Sequence, residues 1–302
     1  MRLGIFRVAV PLAALYAATV AEATTELRDI TVKDSIEMTR WANPDYLLGA
    51  DAKSNIANFS PDAKHFVIVL RKANLARNVN VYSIHLFTTS RVFDSAEPHV
   101  LIRMSSSSNA PAIKDVKWLK DNHMFAFIGI REPGVPQVYT LDTQTGQLKE
   151  KTHHRTAVDQ FDISSDGKRV LFTARPRENL QLTDLERKRG VVIENQTLEQ
   201  VLTGHFHDSG FQQKLFFDDG REREIKVPVT HQINPYTRIF FSPDGRYASF
   251  TAFFRQTSPA WTSYQNEVLK FWGRNPAPSS GATPVSQFFL FDCVNGSVHT
   301  LL

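Results

Sequence analysis

The 302-residue sequence predicts an all-β fold, a β-propeller of four-stranded antiparallel blades whose ring need not be complete within these residues. Three observations predict it. One turn recurs, as "FSPDAK" at 59–64, "ISSDGK" at 163–168 and "FSPDGR" at 241–246. Each copy feeds an apolar run with strand periodicity. A second kind of hairpin, an apolar strand ending in Asp and crossing on a Gly turn, follows at 137–152 and 287–302.

Each element has a physical reason. In the recurring turn Pro presets its own φ, Asp62, Asp166 and Asp244 can accept backbone N–H bonds, and Gly167 and Gly245 supply positive φ. These five residues are read as structural, with Ala63 standing where the other copies have glycine. After the third copy Ala248, Phe250 and Ala252 alternate with Tyr247, Ser249, Thr251 and Phe253, a period of two. "IKDVKWLKDNHMFAFIGI" at 113–130 has the same layout around a diverged turn, Lys120-Asp121-Asn122.

An inner hairpin followed by an outer one makes a four-stranded sheet, and the spacing of about 45–60 residues between turns fits repeating units. A β-sandwich has no reason to repeat one turn at the same point of each sheet. Four units are read, near 56–108, 112–155, 158–205 and 236–302. The third is completed through "GVVIEN" and "QTLEQVLTG". "QQKLFFDDGREREIKVPV" at 212–229 is one more hairpin, either an extra blade or an elaboration of the third. A long polar insertion at 258–284 divides the last unit. Whether "TELRDITVKDSIEM" near the N-terminus closes the ring is left open.

Residues 1–23 carry a basic start, an apolar run of about a dozen residues and Ala21-Glu22-Ala23, the order of a cleavable signal peptide. The run is short of the roughly 20 residues that span a bilayer, so no stable membrane span is expected after cleavage. The expected location is periplasmic or secreted. The single cysteine, Cys293, rules out an internal disulfide, and a chain of this length can rely on an apolar core. A formal net charge of +4, falling to about +3 without Arg2, Arg7 and Glu22, is too small and scattered to predict nucleic acid. The basic run "ERKRG" at 186–190 reads as a solvated loop.

The Phe-Ser-Pro-Asp-Gly-(Lys/Arg) opening resembles the blade motif of the prolyl oligopeptidase superfamily and of TolB-type periplasmic propellers. "ITVKDSIEMTRW" at 30–41 with "FSPDAKHFVIVLRKANLARNVNVYSIHLF" at 59–87 is similar to the start of secreted proteobacterial peptidases of that group, including lasso peptide isopeptidases. The resemblance implies a propeller joined to a C-terminal α/β-hydrolase domain with a Ser, Asp, His triad. The nucleophile elbow G-x-S-x-G occurs nowhere in the 302 residues, so this chain alone is not expected to hydrolyse anything. Two functions follow. One is the gating propeller of a serine peptidase or isopeptidase, with peptide substrate and hydrolase domain as partners. The other is a free-standing TolB-like propeller that binds protein or peptide.

Candidate chemistry within the chain is sparse, and no catalytic residue, metal or cofactor is expected. Ser165-x-x-Lys168 has the spelling of some serine hydrolases but sits in a tight turn. His205-x-His207-Asp208 lacks a further ligand to make a metal site, with His231 having no sequence-level tie to it. Both this pair and His153-His154 read as solvent-facing. Trp118 reads as inter-blade packing. Trp261, Tyr264 and Trp272, in the insertion, are candidates for substrate or partner contact, against packing of the loop on the propeller.

Overall fold

A computed structural model of the chain describes residues 28–42, 56–94, 98–107, 111–131, 133–175, 213–255, 260, 263, 265–267 and 285–301. They form a β-propeller of four antiparallel sheets taken in chain order. The first contains β1 (Arg40–Trp41), β2 (Ala57–Phe59), β3 (His65–Asn74), β4 (Val79–Thr88) and β5 (His99–Ser106). The second contains β6 (Ile113–Trp118), β7 (Met124–Gly129), β8 (Gln137–Asp142) and β9 (Leu148–Glu150). The third contains β10 (Val158–Ile163), β11 (Val170–Ala174), β12 (Lys214–Asp218) and β13 (Glu222–Ile225). The fourth contains β14 (His231–Gln232), β15 (Ile239–Phe241), β16 (Tyr247–Phe254), β17 (Ser286–Asp292) and β18 (Val298–Thr300).

The recurring turn joins the short inner strand of every sheet to the strand after it, β2 to β3, β6 to β7, β10 to β11 and β15 to β16. Ala63, Asn122, Gly167 and Gly245 take φ of 56°, 64°, 68° and 69°, so one backbone conformation is kept whatever the letter. The hydroxyls of Ser60, Ser164 and Ser242 donate to Asp62, Asp166 and Asp244 at 2.8, 2.6 and 2.5 Å. The same carboxylates accept the N–H of Lys64, Lys168 and Arg246. The serine hydroxyls, then these amides, hold the carboxyls of Asp62 and Asp244 below the ordinary range. At Asp166 burial pulls upward, but the same donors outweigh it.

At Gly167 and Gly245 there is a second reason for glycine. A Cβ on Gly167 would stand 3.1 Å from Leu119 Cδ1, and one on Gly245 would stand 3.3 Å from the Ser164 Cβ, because each turn leans on the turn before it. Gly167→Ala is therefore expected to cost about 1–2 kcal/mol, whereas Ala63→Gly, which relieves a left-handed alanine, should gain about 0.5–1 kcal/mol. Urea unfolding of the two variants measures both signs.

Three apolar clusters hold the sheets in sequence. Val67, Tyr82 and Ile84 of the first sheet meet Phe125, Phe127, Tyr139 and Leu141 of the second. Ala126, Ile128 and Val138 of the second meet Phe161, Phe172 and Phe216 of the third. Leu171, Leu215 and Phe217 of the third meet Phe250, Phe289 and Phe291 of the fourth. Alternate residues of β7, β11 and β12 thus feed opposite cores, which is why these strands read as nearly unbroken apolar runs. β16 reads as an alternation instead, since only Ala248, Phe250 and Ala252 face the third sheet. Cys293 lies in the last cluster at 3% exposure, and burial pushes its thiol up to about 11.

The ring is open among the described residues. No cluster joins the fourth sheet back to the first, and Phe59 and Phe288, on the two end faces, are 51% exposed each. The N-terminal segment does not bridge them. Val32–Glu37 is a short helix, α1, opened by a capping box between Thr31 and Asp34. β1 then pairs with β3 of the first sheet, Trp41 opposite Leu70.

The structure also settles the outer half of the third sheet. β12 pairs along the whole of β11, from Val170 opposite Asp218 to Ala174 opposite Lys214, and β13 pairs with β12. The hairpin across Asp218-Asp219-Gly220 is therefore an outer pair of the third sheet, an elaboration of that unit; the "GVVIEN" and "QTLEQVLTG" segments lie outside the described residues. The fourth sheet starts at His231 rather than 236.

Candidate functional site

The short strands that open the sheets, β2, β6, β10 and β15, surround a cavity of about 870 Å³. It is lined by Asn58 of β2, Lys114 to Lys117 of β6, Asp159 to Phe161 of β10, and Ile239 and Phe240 of β15. One cavity thus touches the inner strand of every sheet.

Polar bonds that cross from sheet to sheet set its walls. Trp118 Nε1 donates to the Asn58 carbonyl at 2.8 Å, tying the second sheet to the first, while its ring meets Phe125 edge-on. Lys114 Nζ donates to the Asp159 carbonyl at 2.7 Å. Lys117 Nζ donates to the Phe161 carbonyl at 2.8 Å and to Asp162 Oδ1 at 3.0 Å. The other oxygen of that carboxylate, Oδ2, accepts the Phe241 N–H at 2.6 Å, so Asp162 joins the second, third and fourth sheets. Gln160 Nε2 donates to the Pro235 carbonyl across the same seam.

Two inner strands are bulged where they line the cavity. In β6 Lys114 pairs with Ile128 and Lys117 with Ala126, which leaves one extra residue on the inner strand. Asp115, within that bulge, has φ of 56° and an exposed side chain. In β10 the pairing slips between Val158 and Gln160, beside Asp159. Asp159 Oδ2 accepts from Gln213 Nε2 at 2.6 Å and lies 3.7 Å from Arg175 Nε. Gln213 bridges to Ile233 and is 7% exposed. Its Oε1 is buried and accepts no hydrogen bond.

The lining carries Lys114, Lys117, Arg175 and Arg238 against Asp115 and Asp159, a cationic surplus. Lys117 and Arg175 face carboxylates. Arg238 is exposed, and its guanidinium makes no ion pair among the described residues. Among the described residues the lining combines these charged groups with apolar side chains such as Ile113, Ile239 and Phe240.

The residues singled out from sequence fall differently. Trp261, Tyr264 and Trp272 lie outside the described residues, as do His205, His207 and Asp208. Asp62, Asp166, Gly167, Asp244 and Gly245 sit in the turns at the end of the inner strands, away from the cavity lining. Ser165 Oγ donates to the Pro243 carbonyl at 3.1 Å, and Lys168 gives its amide to Asp166. His153 is exposed as expected, but His154 is not: its ring packs 4.4 Å from that of Phe216 and its Nδ1 meets Glu222 at 2.9 Å. The correction follows from the third sheet's outer hairpin, which supplies both partners. His231 is buried against Phe254 and Phe289, and burial lowers its pKa. Among the described residues no group of three or more His, Cys, Asp or Glu is placed to hold a metal.

Asp115, Asp159, Gln213 and Arg238 had no signal in the sequence beyond the broken alternation of "IKDVKW". Among the described residues no helix is long and apolar enough to cross a membrane.

No family model matches the chain. Over 149 residues, 48% of this chain and 22% of the relative, it is 27% identical to the uncharacterized peptidase YuxL of Bacillus subtilis (strain 168). Among solved structures it is similar to an acylaminoacyl peptidase of Pyrococcus horikoshii, with TM-score 0.47 and 13% identity over 89% of this chain and 33% of that one. It is similar also to TolB from Acinetobacter baumannii, with TM-score 0.39 and 14% identity over 81% and 42% of the two chains. The β-propeller domain of the Trilobed protease from Pyrococcus furiosus, described as an open velcro topology, gives TM-score 0.40 and 13% identity over 82% and 55%. The chain spans less than a quarter of the curated relative and about a third to about half of these structures. The similar structures thus include a peptidase and the β-propeller domain of a protease.

Proposed function

We propose that this chain is the non-catalytic propeller of a secreted prolyl-oligopeptidase-like serine peptidase, packing on an α/β-hydrolase domain and limiting access by the size and shape of the substrate. The observation that carries this reading is the cavity of about 870 Å³ between the inner strands, a volume suited to a short peptide and too small for a folded domain. The repeated turn and the stretch shared with a curated peptidase support it. The signal-like start at 1–23 supports action in the periplasm or outside the cell. A lasso peptide isopeptidase is the finer form of the same reading, resting on the stretch at 30–87 alone.

The genomic reading frame after the Leu302 codon tests it. A frame that continues into G-x-S-x-G and later Asp and His supports the peptidase, and a stop with no such frame favours the free-standing TolB-like binder. In the peptidase reading Trp261, Tyr264 and Trp272 contact the substrate or the hydrolase domain. Trp261→Ala or Trp272→Ala should then leave stability within about 1 kcal/mol while weakening association by more than that. Thermal melts and titration with the separately expressed hydrolase domain measure the two effects.

A further inference from the structure

Among the described residues, Arg238 and the Oε1 of Gln213 line the cavity without a partner, and Asp115 lines it on a left-handed backbone. Arg238 presents a guanidinium on the fourth sheet with no carboxylate opposite it among the described residues. Gln213, between the third and fourth sheets, donates one Nε2 hydrogen to Asp159 and keeps a buried Oε1 acceptor unmatched. Asp115 is held at a φ that disfavours a side chain, in a bulge that is an extra residue on the inner strand. A buried acceptor left unmade costs about 1–3 kcal/mol, and strain at a left-handed aspartate adds to it.

Their chemistry specifies the ligand. A guanidinium fits a carboxylate by paired N–H donors. An amide oxygen closed to bulk water fits an N–H, and the main chain of a peptide supplies one at each residue. Ile113, Ile239 and Phe240 in the same lining offer apolar contact to side chains. We infer that the cavity binds a short peptide by its free C-terminal carboxylate, held by Arg238, with a main-chain N–H donated to Gln213 Oε1. This rests on reading the cavity as a peptide passage and adds which end of the peptide is recognised.

The test uses the chain as it exists and isothermal titration calorimetry with Ala-Phe-Gly-Ala, bearing either a free carboxyl or a C-terminal amide. The free acid should bind, and the amide about tenfold or more weakly. Arg238→Gln, at an exposed position, should weaken the acid by a similar factor and leave the amide unchanged, because both changes remove the same contact. Gln213→Met should weaken acid and amide alike. Lys149→Gln, an equal loss of charge on an exposed strand outside the cavity, should change neither. The inference is overturned if neither peptide binds, if acid and amide bind equally, or if Arg238→Gln and Lys149→Gln act alike. Its failure leaves the peptidase reading standing, since the reading frame decides that separately.

Discussion

Alanine at position 250 is expected to remove about 3–5 kcal/mol of stability, the cost of truncating a well-packed phenylalanine. Phe250 is 1% exposed, and its ring stacks on Phe289 with centroids 5.4 Å apart and planes at 13°. It faces Leu171, Leu215 and Phe217 of the third sheet, so the cavity left behind would lie between two sheets that cannot close on it without shifting their shared turns. Phe288 is the control. It sits one residue before Phe289 on β17, points the opposite way and is 51% exposed, so Phe288→Ala should cost under about 1 kcal/mol. Urea unfolding of both variants decides. Equal losses would mean that the face of the fourth sheet turned away from the third is also packed, and the open ring described above would be wrong.

The contrast between these two neighbours shows what was legible in the sequence. The turns could be read because Asp and Gly carry their backbone preference in their identity, and the second turn, with Asn122 at φ of 64°, was found by layout alone. The alternation in "YASFTAF" separated the two faces of β16, and the structure turns Ala248, Phe250 and Ala252 toward the third sheet. The third sheet was harder. From sequence the hairpin at 212–229 could be either an extra blade or an elaboration of the third. The structure makes it the second, and "KLFFDDGREREI" feeds two cores at once through Leu215, Phe216 and Phe217. An unbroken apolar run bounded by a Gly turn was the mark of that two-sided burial, and it was present in the sequence.

The cavity was not legible, for a different reason. Its residues lie on four strands that are far apart in the chain, and each looks ordinary where it stands. Lys114, Lys117 and Asp159 are common residues for exposed strand positions, and only the assembled ring turns them toward one another. His154 makes the same point in reverse. Next to His153 it reads as one of an exposed pair, and nothing local shows that Phe216 and Glu222, more than 60 residues later, cover it. Periodicity specifies which side of a strand is buried, but not what the other sheet brings to meet it.

Asp162 concentrates that long-range information in one side chain, and Asp162→Ala is expected to cost about 3 kcal/mol. The carboxylate is 17% exposed and holds two donors from two other sheets, Lys117 Nζ at 3.0 Å and the Phe241 N–H at 2.6 Å. Its removal leaves a backbone amide and an ammonium without that acceptor at a seam where water enters poorly, and the unmade bonds dominate the loss. Asp162→Asn keeps an oxygen for Phe241 and gives up the charge, so it should cost about half as much. Lys117 is 37% exposed and can turn toward solvent, which limits its share of the loss. A double-mutant cycle with Lys117→Met, read by urea unfolding, separates the two partners and should return a coupling of about 1–2 kcal/mol. A coupling near zero with the full cost of Asp162→Ala intact would assign the seam to the Phe241 amide. A cost under about 1 kcal/mol for Asp162→Ala would show that the apolar clusters alone hold the sheets at their angles, and that the polar bonds around the cavity serve its ligand.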